Sequence, residues 1–289
     1  MAIWYNKLKA KGVFGLTFRE AVSKLNNAGV DAARHDAAVL AERLCGIDRA
    51  RLPLMYDEEL QSPAFDEAVE KRASRIPLQY IIGGWEFFGL WFELDESCLC
   101  PRPDTEITVE KALELLPKNG RFLELCTGSG CISVSICKTR GDLSGIATDK
   151  FEATAKMARK NAERQEVSDR LSVIRADLFD SPDYIGGEKF DAVISNPPYI
   201  PTRDIDGLSA EVKKEPIAAL DGGEDGLDFY RYIVDEYARY LRPDGIMIFE
   251  IGYDQGEALK NIAESRGYGC EIFKDLENND RVAVINVKE

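Results

Sequence analysis

Phe122-Leu123-Glu124-Leu125-Cys126-Thr127-Gly128-Ser129-Gly130 is the stretch on which the fold turns. Its first four residues read as a strand and the stretch from Gly130 to Thr139 as a helix, with glycines at the junction. Glycines between a strand and the following helix let backbone approach a ligand closely. Asp149 closes the next strand, Gly145 to Asp149, about twenty residues past the loop, where an acidic side chain can take ribose hydroxyls. The loop does not favour a dinucleotide. A G-x-G-x-x-G read from Gly128 meets Ser133 in place of its third glycine, and the P-loop pattern is missing as well.

Outward from this loop, helix and strand alternate. Pro103-Asp104-Thr105-Glu106 opens a helix to about Leu116, and Phe151 to Gln165 reads as another helix. Leu171 to Ala176 and Phe190 to Ser195 read as further strands, followed by a helix over Asp228 to Tyr240, a strand over Gly245 to Ile251 and a helix over Gln255 to Arg266. Cys270 to Phe273 and Arg281 to Val287, about a turn at Asn278-Asn279, close the chain as an antiparallel edge. Such alternation predicts an α/β fold with a mostly parallel sheet covered on both faces.

The chain before this reads differently. Thr17-Phe18-Arg19-Glu20 is a capping box with Phe18, Val22 and Leu25 on one helical face. Ala37, Leu40, Ala41 and Leu44 make a second stripe before Gly46, and Ser62-Pro63 starts a third helix. Pro77-Leu78-Gln79-Tyr80 breaks the helical pattern, and Trp85–Phe88 with Leu90–Leu94 reads as a hairpin around Gly89. The expected organisation is a helical domain over 1–76, a hairpin linker over 77–100 and an α/β domain over 101–289.

Asn196-Pro197-Pro198-Tyr199 ends the Phe190–Ser195 strand, where open α/β sheets place ligands. The prolines have no N–H and a fixed φ, so carbonyls there can face a cavity without a ladder partner. An amide oxygen beside a carbonyl, next to an aromatic ring, suits a planar group bearing an NH2. The 26 residues from Pro201 to Gly226 form a long irregular connection, expected to shape the substrate entrance.

Composition sets limits. Of 289 residues 45% are hydrophobic and 30% charged, as in ordinary globular chains. The net charge is −14: residues 1–98 carry 12 basic against 15 acidic side chains, the remainder 25 against 36. An acidic catalytic part argues against a partner held mainly through phosphates. The seven cysteines lack metal-ligand spacing and, with His35 the single histidine, suggest no metal site. They read as buried thiols in a reducing compartment. His35 lies in a helical stretch with no nucleophile motif beside it, so a histidine triad is a poor reading. Met1-Ala2-Ile3-Trp4-Tyr5-Asn6-Lys7 lacks the apolar core of a signal peptide, and no run approaches membrane-spanning length. A cytoplasmic chain without direct nucleic-acid or membrane contacts is expected, its oligomeric state open.

The glycine loop, with Glu124 at its head, resembles the S-adenosylmethionine loop of Rossmann-like methyltransferases, although Cys126 stands where the first glycine is usual. If that position needs a positive φ, a side chain there costs roughly 1–2 kcal/mol. Together with Asn196-Pro197-Pro198-Tyr199, the loop resembles enzymes that methylate adenine N6 or glutamine amides. Arg75-Ile76-Pro77-Leu78-Gln79-Tyr80-Ile81-Ile82-Gly83, Pro101-Arg102-Pro103-Asp104-Thr105-Glu106, the run Glu215 to Arg231, and Glu250-Ile251-Gly252 with Gln255-Gly256 resemble the HemK family of protein-(glutamine-N5) methyltransferases. The resemblance covers nearly the whole chain, the helical region more loosely.

That resemblance implies a Rossmann-like methyltransferase fold, S-adenosylmethionine as cofactor with S-adenosylhomocysteine as product, and, as substrate, the glutamine of the Gly-Gly-Gln motif of peptide chain release factors. It implies substrate recognition by the helical domain. Carried over by position, Glu124, Cys126, Thr127, Gly128, Ser129, Gly130, Asp149, Asp177, Leu178 and Asn196 would contact the cofactor. Asn196, Pro197, Pro198 and Tyr199 would hold the substrate amide, with Asn196, Pro197 and Tyr199 catalytic. Thr105 and Glu106 read equally as a cover over the cofactor and as a helix start. A ribosomal-protein glutamine methyltransferase, a nucleic-acid adenine-N6 methyltransferase and a non-catalytic interaction protein stand as alternatives.

Overall fold

The computed structural model describes residues 15–180 and 182–287. The expectation for Met1–Lys7 lies outside them. Two compact units emerge: the described residues up to Gly83 with Ser209–Lys214, and Gly84–Leu208 with the described residues from Glu215 on.

In the first unit, three helices meet along their apolar stripes: α1 (Phe18–Asn27), α2 (Ala33–Cys45) and α3 (Pro63–Ala73). Thr17 caps α1 with the full capping box, its hydroxyl accepting from Glu20 N and its own N–H donating to the Glu20 carboxylate. Phe18, Leu25, Ala37, Leu40, Ala41, Phe65 and Val69 are buried between the helices, while Leu44 is only half-buried and His35 exposed. Pro77 does not end the helical pattern. It starts a short helix, α4 (Leu78–Ile82), because the N–H a proline lacks is one a first turn leaves unbonded anyway. Gly83, at φ 74°, ends α4.

The second unit opens with the hairpin β1 (Gly84–Phe87) and β2 (Leu90–Glu93), turning through Phe88 and Gly89, both at positive φ. A 3-10 turn over Pro103–Thr105 then leads into α5 (Glu106–Leu115). The alternation that follows is β3 (Arg121–Leu125), α6 (Cys131–Thr139), β4 (Ser144–Asp149), α7 (Glu152–Arg164), β5 (Leu171–Arg175), β6 (Phe190–Ser195), α8 (Asp228–Tyr237), β7 (Leu241–Glu250), α9 (Gly256–Glu264), β8 (Gly269–Lys274) and β9 (Asp280–Asn286).

The seven strands run β5-β4-β3-β6-β7-β9-β8. The first five are parallel, and β9 is antiparallel to both neighbours. The closing hairpin lies at one edge, as expected, but its reversed strand β9 is the inner one and β8 is the edge.

Strand residues alternate between two cores, as the two-residue period requires. Phe122, Ala192, Ile194, Ile248 and Val284 pack with α5 and α6 on one face. Leu123, Leu125, Val193, Phe249 and Ile285 pack with α8 and α9 on the other. Strands covered on both faces are why the centres of these runs are largely apolar on both sides, without strict alternation of apolar and polar residues.

The chain lays β4 and β5 to one side of β3 and then returns to lay β6 on the other. Such a reversal opens a crevice at the strands' carboxyl ends. Register aligns what lines it: Leu125 pairs with Ser195, and Ser195 with Phe249. Cys126, Asn196 and Glu250 therefore leave three neighbouring strands at one level.

Candidate active site

A cavity of about 410 Å³ opens at this reversal. Cys126 to Ser129, Asp149 to Phe151, Asp177 to Phe179, Asn196 and Pro198 form its walls, closed by segments around Cys98–Pro101, Thr105 and Pro216–Ala219.

The glycine loop is held from three directions. Thr127 N donates to Thr148 O (2.9 Å), Gly128 N donates to Asp149 Oδ2 (3.1 Å), and Gly130 N donates to Thr127 O (2.9 Å). Beneath it, Glu124 Oε2 accepts from Thr127 Oγ1 (2.6 Å) and from Ser133 N (3.2 Å) in the first turn of α6. Fully buried, Glu124 does not line the cavity and supports the loop from behind. Gly130 is also absent from the wall, its Cα facing Ala158 of α7. Cys126 has φ 58°, so the condition for strain at that position is met.

Asp149 accepts from Gly128 N and, through Oδ1, from Phe151 N (3.1 Å). Asp177 is paired with Lys150 (2.8 Å) and accepts from Phe179 N (3.1 Å). Phe151 and Phe179 are about half exposed and border the same cavity, as does Phe229, whose ring lies 5.2 Å from that of Phe179. Sequence reasoning missed these three rings. The signal was present for two of them, since each follows a strand-end aspartate by two residues.

Asn196 is in the wall and its Nδ2 donates to Thr105 Oγ1 at 3.5 Å. Pro198 is in the wall too, whereas Pro197 and Tyr199 are not among the lining residues. Tyr199 turns its hydroxyl away, to Glu250 Oε1 (3.4 Å). Its carbonyl accepts from Gln255 Nε2 (3.0 Å), which also reaches Gly226 O (3.2 Å). A Cβ at Gly226 would stand 2.3 Å from the Tyr199 carbonyl oxygen, and one at Gly222 2.7 Å from Tyr199 Cα. The irregular connection thus folds back onto the prolyl turn, with Ile200 N on Leu220 O and Gly222 N on Ile200 O (both 2.9 Å). Glu215, almost wholly buried, accepts from Cys100 N (2.9 Å) and pairs with Arg102, tying two cavity-lining segments together.

Residues 17–83 match the PrmC N-terminal domain model, and residues 105–214 match the methyltransferase small domain model. The release factor glutamine methyltransferase of Moorella thermoacetica is 41% identical over 91% of this chain and 94% of its own. That of Aquifex aeolicus is 37% identical over 87% and 90%. The chain belongs to the release factor glutamine methyltransferase family. A methyltransferase from Pyrococcus furiosus, 20% identical, superposes with TM-score 0.53 over 75% of this chain and 98% of that one, a likeness of fold.

Two buried carboxyls bear on how the stability of this methyltransferase depends on pH. Burial pushes Glu124 and Glu250 up to about 7, against hydrogen bonds from Ser133 and Thr127 in the first case and against the Arg281 charge and the Tyr199 hydroxyl in the second. Their ordinary value is 4.5, so between these limits the folded chain binds more protons than the unfolded one. The stability they contribute is complete below 4.5 and is lost as pH rises through 7. Denaturant titrations between about pH 5 and pH 7.5 should show stability falling with pH, with a shallower slope in Glu250→Gln. Equal slopes in the two proteins would contradict this.

Burial also pushes the Cys98 thiol up to about 12 and raises those of Cys126 and Cys131, so these three thiols are neutral and poor nucleophiles. Cys98, Cys100, Cys131 and Cys137 are buried as expected, but Cys45, Cys126 and Cys270 are only partly so. For Cys126, glycine relieves the left-handed backbone but loosens the unfolded chain and removes thiol packing. Cys126→Gly should therefore change stability by less than about 1 kcal/mol. Cys126→Val, β-branched at positive φ, should lose about 2 kcal/mol or more. Thermal melts that rank valine level with glycine would refute the strain.

Proposed function

We propose that this chain transfers a methyl group from S-adenosylmethionine to the side-chain amide nitrogen of the glutamine in the Gly-Gly-Gln motif of class 1 peptide chain release factors, in the cytoplasm. The observation that carries the reading is Asn196. It stands at the end of β6 in the wall of the same cavity that the glycine loop and Asp149 line.

The cavity's chemistry suits the cofactor. Ser129 Oγ is buried without a hydrogen-bond partner among the described residues, in a wall that also holds the Asp149 carboxylate and the rings of Phe151 and Phe179. Burial raises the Asp149 carboxyl above its ordinary value, and the N–H groups of Phe151, Gly128 and Lys150 hold it back. Asp149 would accept from ribose hydroxyls, backbone and hydroxyls over Cys126–Ser129 would hold the amino-acid end, and Asp177, Leu178 and Phe179 would flank the base. When bound, the cofactor supplies an electrophilic methyl group on a sulfonium.

The protein's task is the nucleophile. An amide nitrogen is weak because its lone pair is delocalised into the carbonyl. Asn196 Oδ1 and the Pro197 carbonyl accept the two amide hydrogens, and both bonds strengthen as positive charge grows on nitrogen. The same two acceptors fix the direction of approach, a contribution of up to about 7–11 kcal/mol in favourable cases. The proton leaves after transfer, so no strong base is required. Pro198 fixes the turn, and Tyr199, turned to Glu250, braces it from outside the cavity. The helical unit serves substrate recognition.

Labelled cofactor incubated separately with release factor, ribosomal protein and DNA tests the assignment. Label is expected in the release factor. Label in DNA or in ribosomal protein alone would replace this reading with one of its alternatives.

A further inference from the structure

Asn161 on α7 is a primary amide with no exposed surface, and it stands behind the cavity wall, not in it. A buried amide is costly unless its hydrogen-bonding groups are met. Here they are met from two directions. Oδ1 accepts from Glu93 N (2.8 Å) and Nδ2 donates to Glu93 O (3.0 Å), both on the hairpin strand β2. Nδ2 also donates to Ser129 O (2.9 Å), in the loop that lines the cavity. Two carbonyls on the nitrogen side and one N–H on the oxygen side fix which way round the amide sits.

The helix around it serves the same contact. Thr154, Ala158 and Asn161 recur at helical spacing on one face of α7. Thr154 Oγ1 donates to Ser97 O (2.7 Å), and both residues line the cavity. Ala158 lets the Gly130 backbone close in: a Cβ on Gly130 would stand 3.2 Å from that of Ala158. Within the loop, Gly130 N closes the turn on Thr127 O, and Asn161 fixes the Ser129 carbonyl from outside it. Ser129 is thus held by its carbonyl, while its hydroxyl is buried without a partner among the described residues. Gln165, one turn beyond Asn161, donates to Trp91 O (2.8 Å) and grips β2 at a different place.

We infer that Asn161 is a positioning residue for the cofactor loop, and that through its amide the hairpin strand β2 belongs to the cofactor-binding apparatus. The inference rests on the S-adenosylmethionine reading above. One amide bonds both β2 and the loop, so a shift of the loop is felt at Glu93. Cofactor that fixes the loop fixes the amide, and with it the Glu93 N–H. Without Asn161 the Ser129 carbonyl loses its buried donor, and the turn that carries Thr127, Gly128 and Ser129 loses its outside support.

Calorimetric affinity for S-adenosylmethionine, beside denaturant unfolding, tests it. Asn161→Leu keeps the branched shape but makes none of the three bonds; affinity should fall about 10–100-fold. Gln165→Leu frees Trp91 O on the same strand and leaves Asn161 in place; affinity should stay within about threefold of wild type even where stability is lost. A purely structural role would make the two variants alike. Hydrogen exchange in the wild type needs no variant to fold. Saturating S-adenosylmethionine should slow exchange at Glu93 N–H by about fivefold or more beyond any slowing at Phe88 N–H, which the same hairpin gives to Glu106 Oε1 (2.8 Å). Wild-type affinity in Asn161→Leu, an equal loss in Gln165→Leu, or equal slowing at Glu93 and Phe88 would overturn the inference. Failure of the wild type itself to bind S-adenosylmethionine would instead count against the reading it rests on.

Discussion

Asn196→Ala lowers kcat by roughly 10²–10³-fold, the loss found when one preorganised hydrogen-bonding group is removed from a transition state. The effect concentrates in kcat because the lost bond is stronger to a nitrogen gaining positive charge than to a neutral amide. Cofactor affinity should fall by less, about tenfold at most, since Asp149, the loop Cys126–Ser129 and the rings of Phe151 and Phe179 remain. Folding should be little disturbed, because Asn196 is only half-buried and its side chain bonds only weakly, at 3.5 Å, to Thr105. Single-turnover rates with cofactor saturating, set beside calorimetric cofactor affinity, separate the two effects. A variant with the wild-type single-turnover rate would remove Asn196 from the chemistry.

The largest loss of stability belongs to a residue far in sequence from the cavity. Arg72→Ala should destabilise the helical unit by about 3–5 kcal/mol, because it leaves a buried charge unpaired. The Arg72 side chain is 8% exposed, and its Nε donates to Asp36 Oδ2 (2.7 Å), itself 7% exposed on α2. Its other nitrogens reach Ile76 O (3.3 Å) and Glu211 Oε1 (2.9 Å). Glu211 retains Arg75, which also binds the carbonyls of Ala28 and Gly29. Against the cost of its partial burial, Arg75 and Arg72 hold the Glu211 carboxyl down to about 2. Asp36 has no such second cation within ion-pair distance among the described residues. Denaturant unfolding followed by a probe in the helical unit measures the loss, and a change below about 1 kcal/mol would contradict it. The double variant Arg72→Met with Asp36→Leu should recover most of the stability, since removing both charges leaves neither stranded.

Sequence and structure agree most closely where a pattern is local. Phe122, Leu123 and Leu125 are apolar because both sheet faces are covered, and the cap at Thr17 is written in four consecutive residues. The loop, Asp149 and Asn196 were legible because strand ends converge at the reversal of strand order whatever the loops do. The place of β9 inside the edge was not, since two short apolar strands joined by a tight turn fit either order. Glu124 could have been read more closely: alternation with Leu123 and Leu125 puts its side chain on the face toward α6, under the loop. The directions of Tyr199 and Thr105 were beyond reach. Proline fixes φ around the turn, but the Tyr199 ring follows Glu250, 51 positions away, and the Thr105 hydroxyl finds Asn196 across 91.

Fragment mass spectrometry of a release factor after incubation with this enzyme and S-adenosylmethionine tests the central claim most directly. The account predicts the mass of one added methyl group, in place of a hydrogen, on the glutamine of Gly-Gly-Gln, and almost none with Asn196→Ala. A methyl group on another residue, or an unmodified glutamine with an enzyme that binds the cofactor, would contradict it.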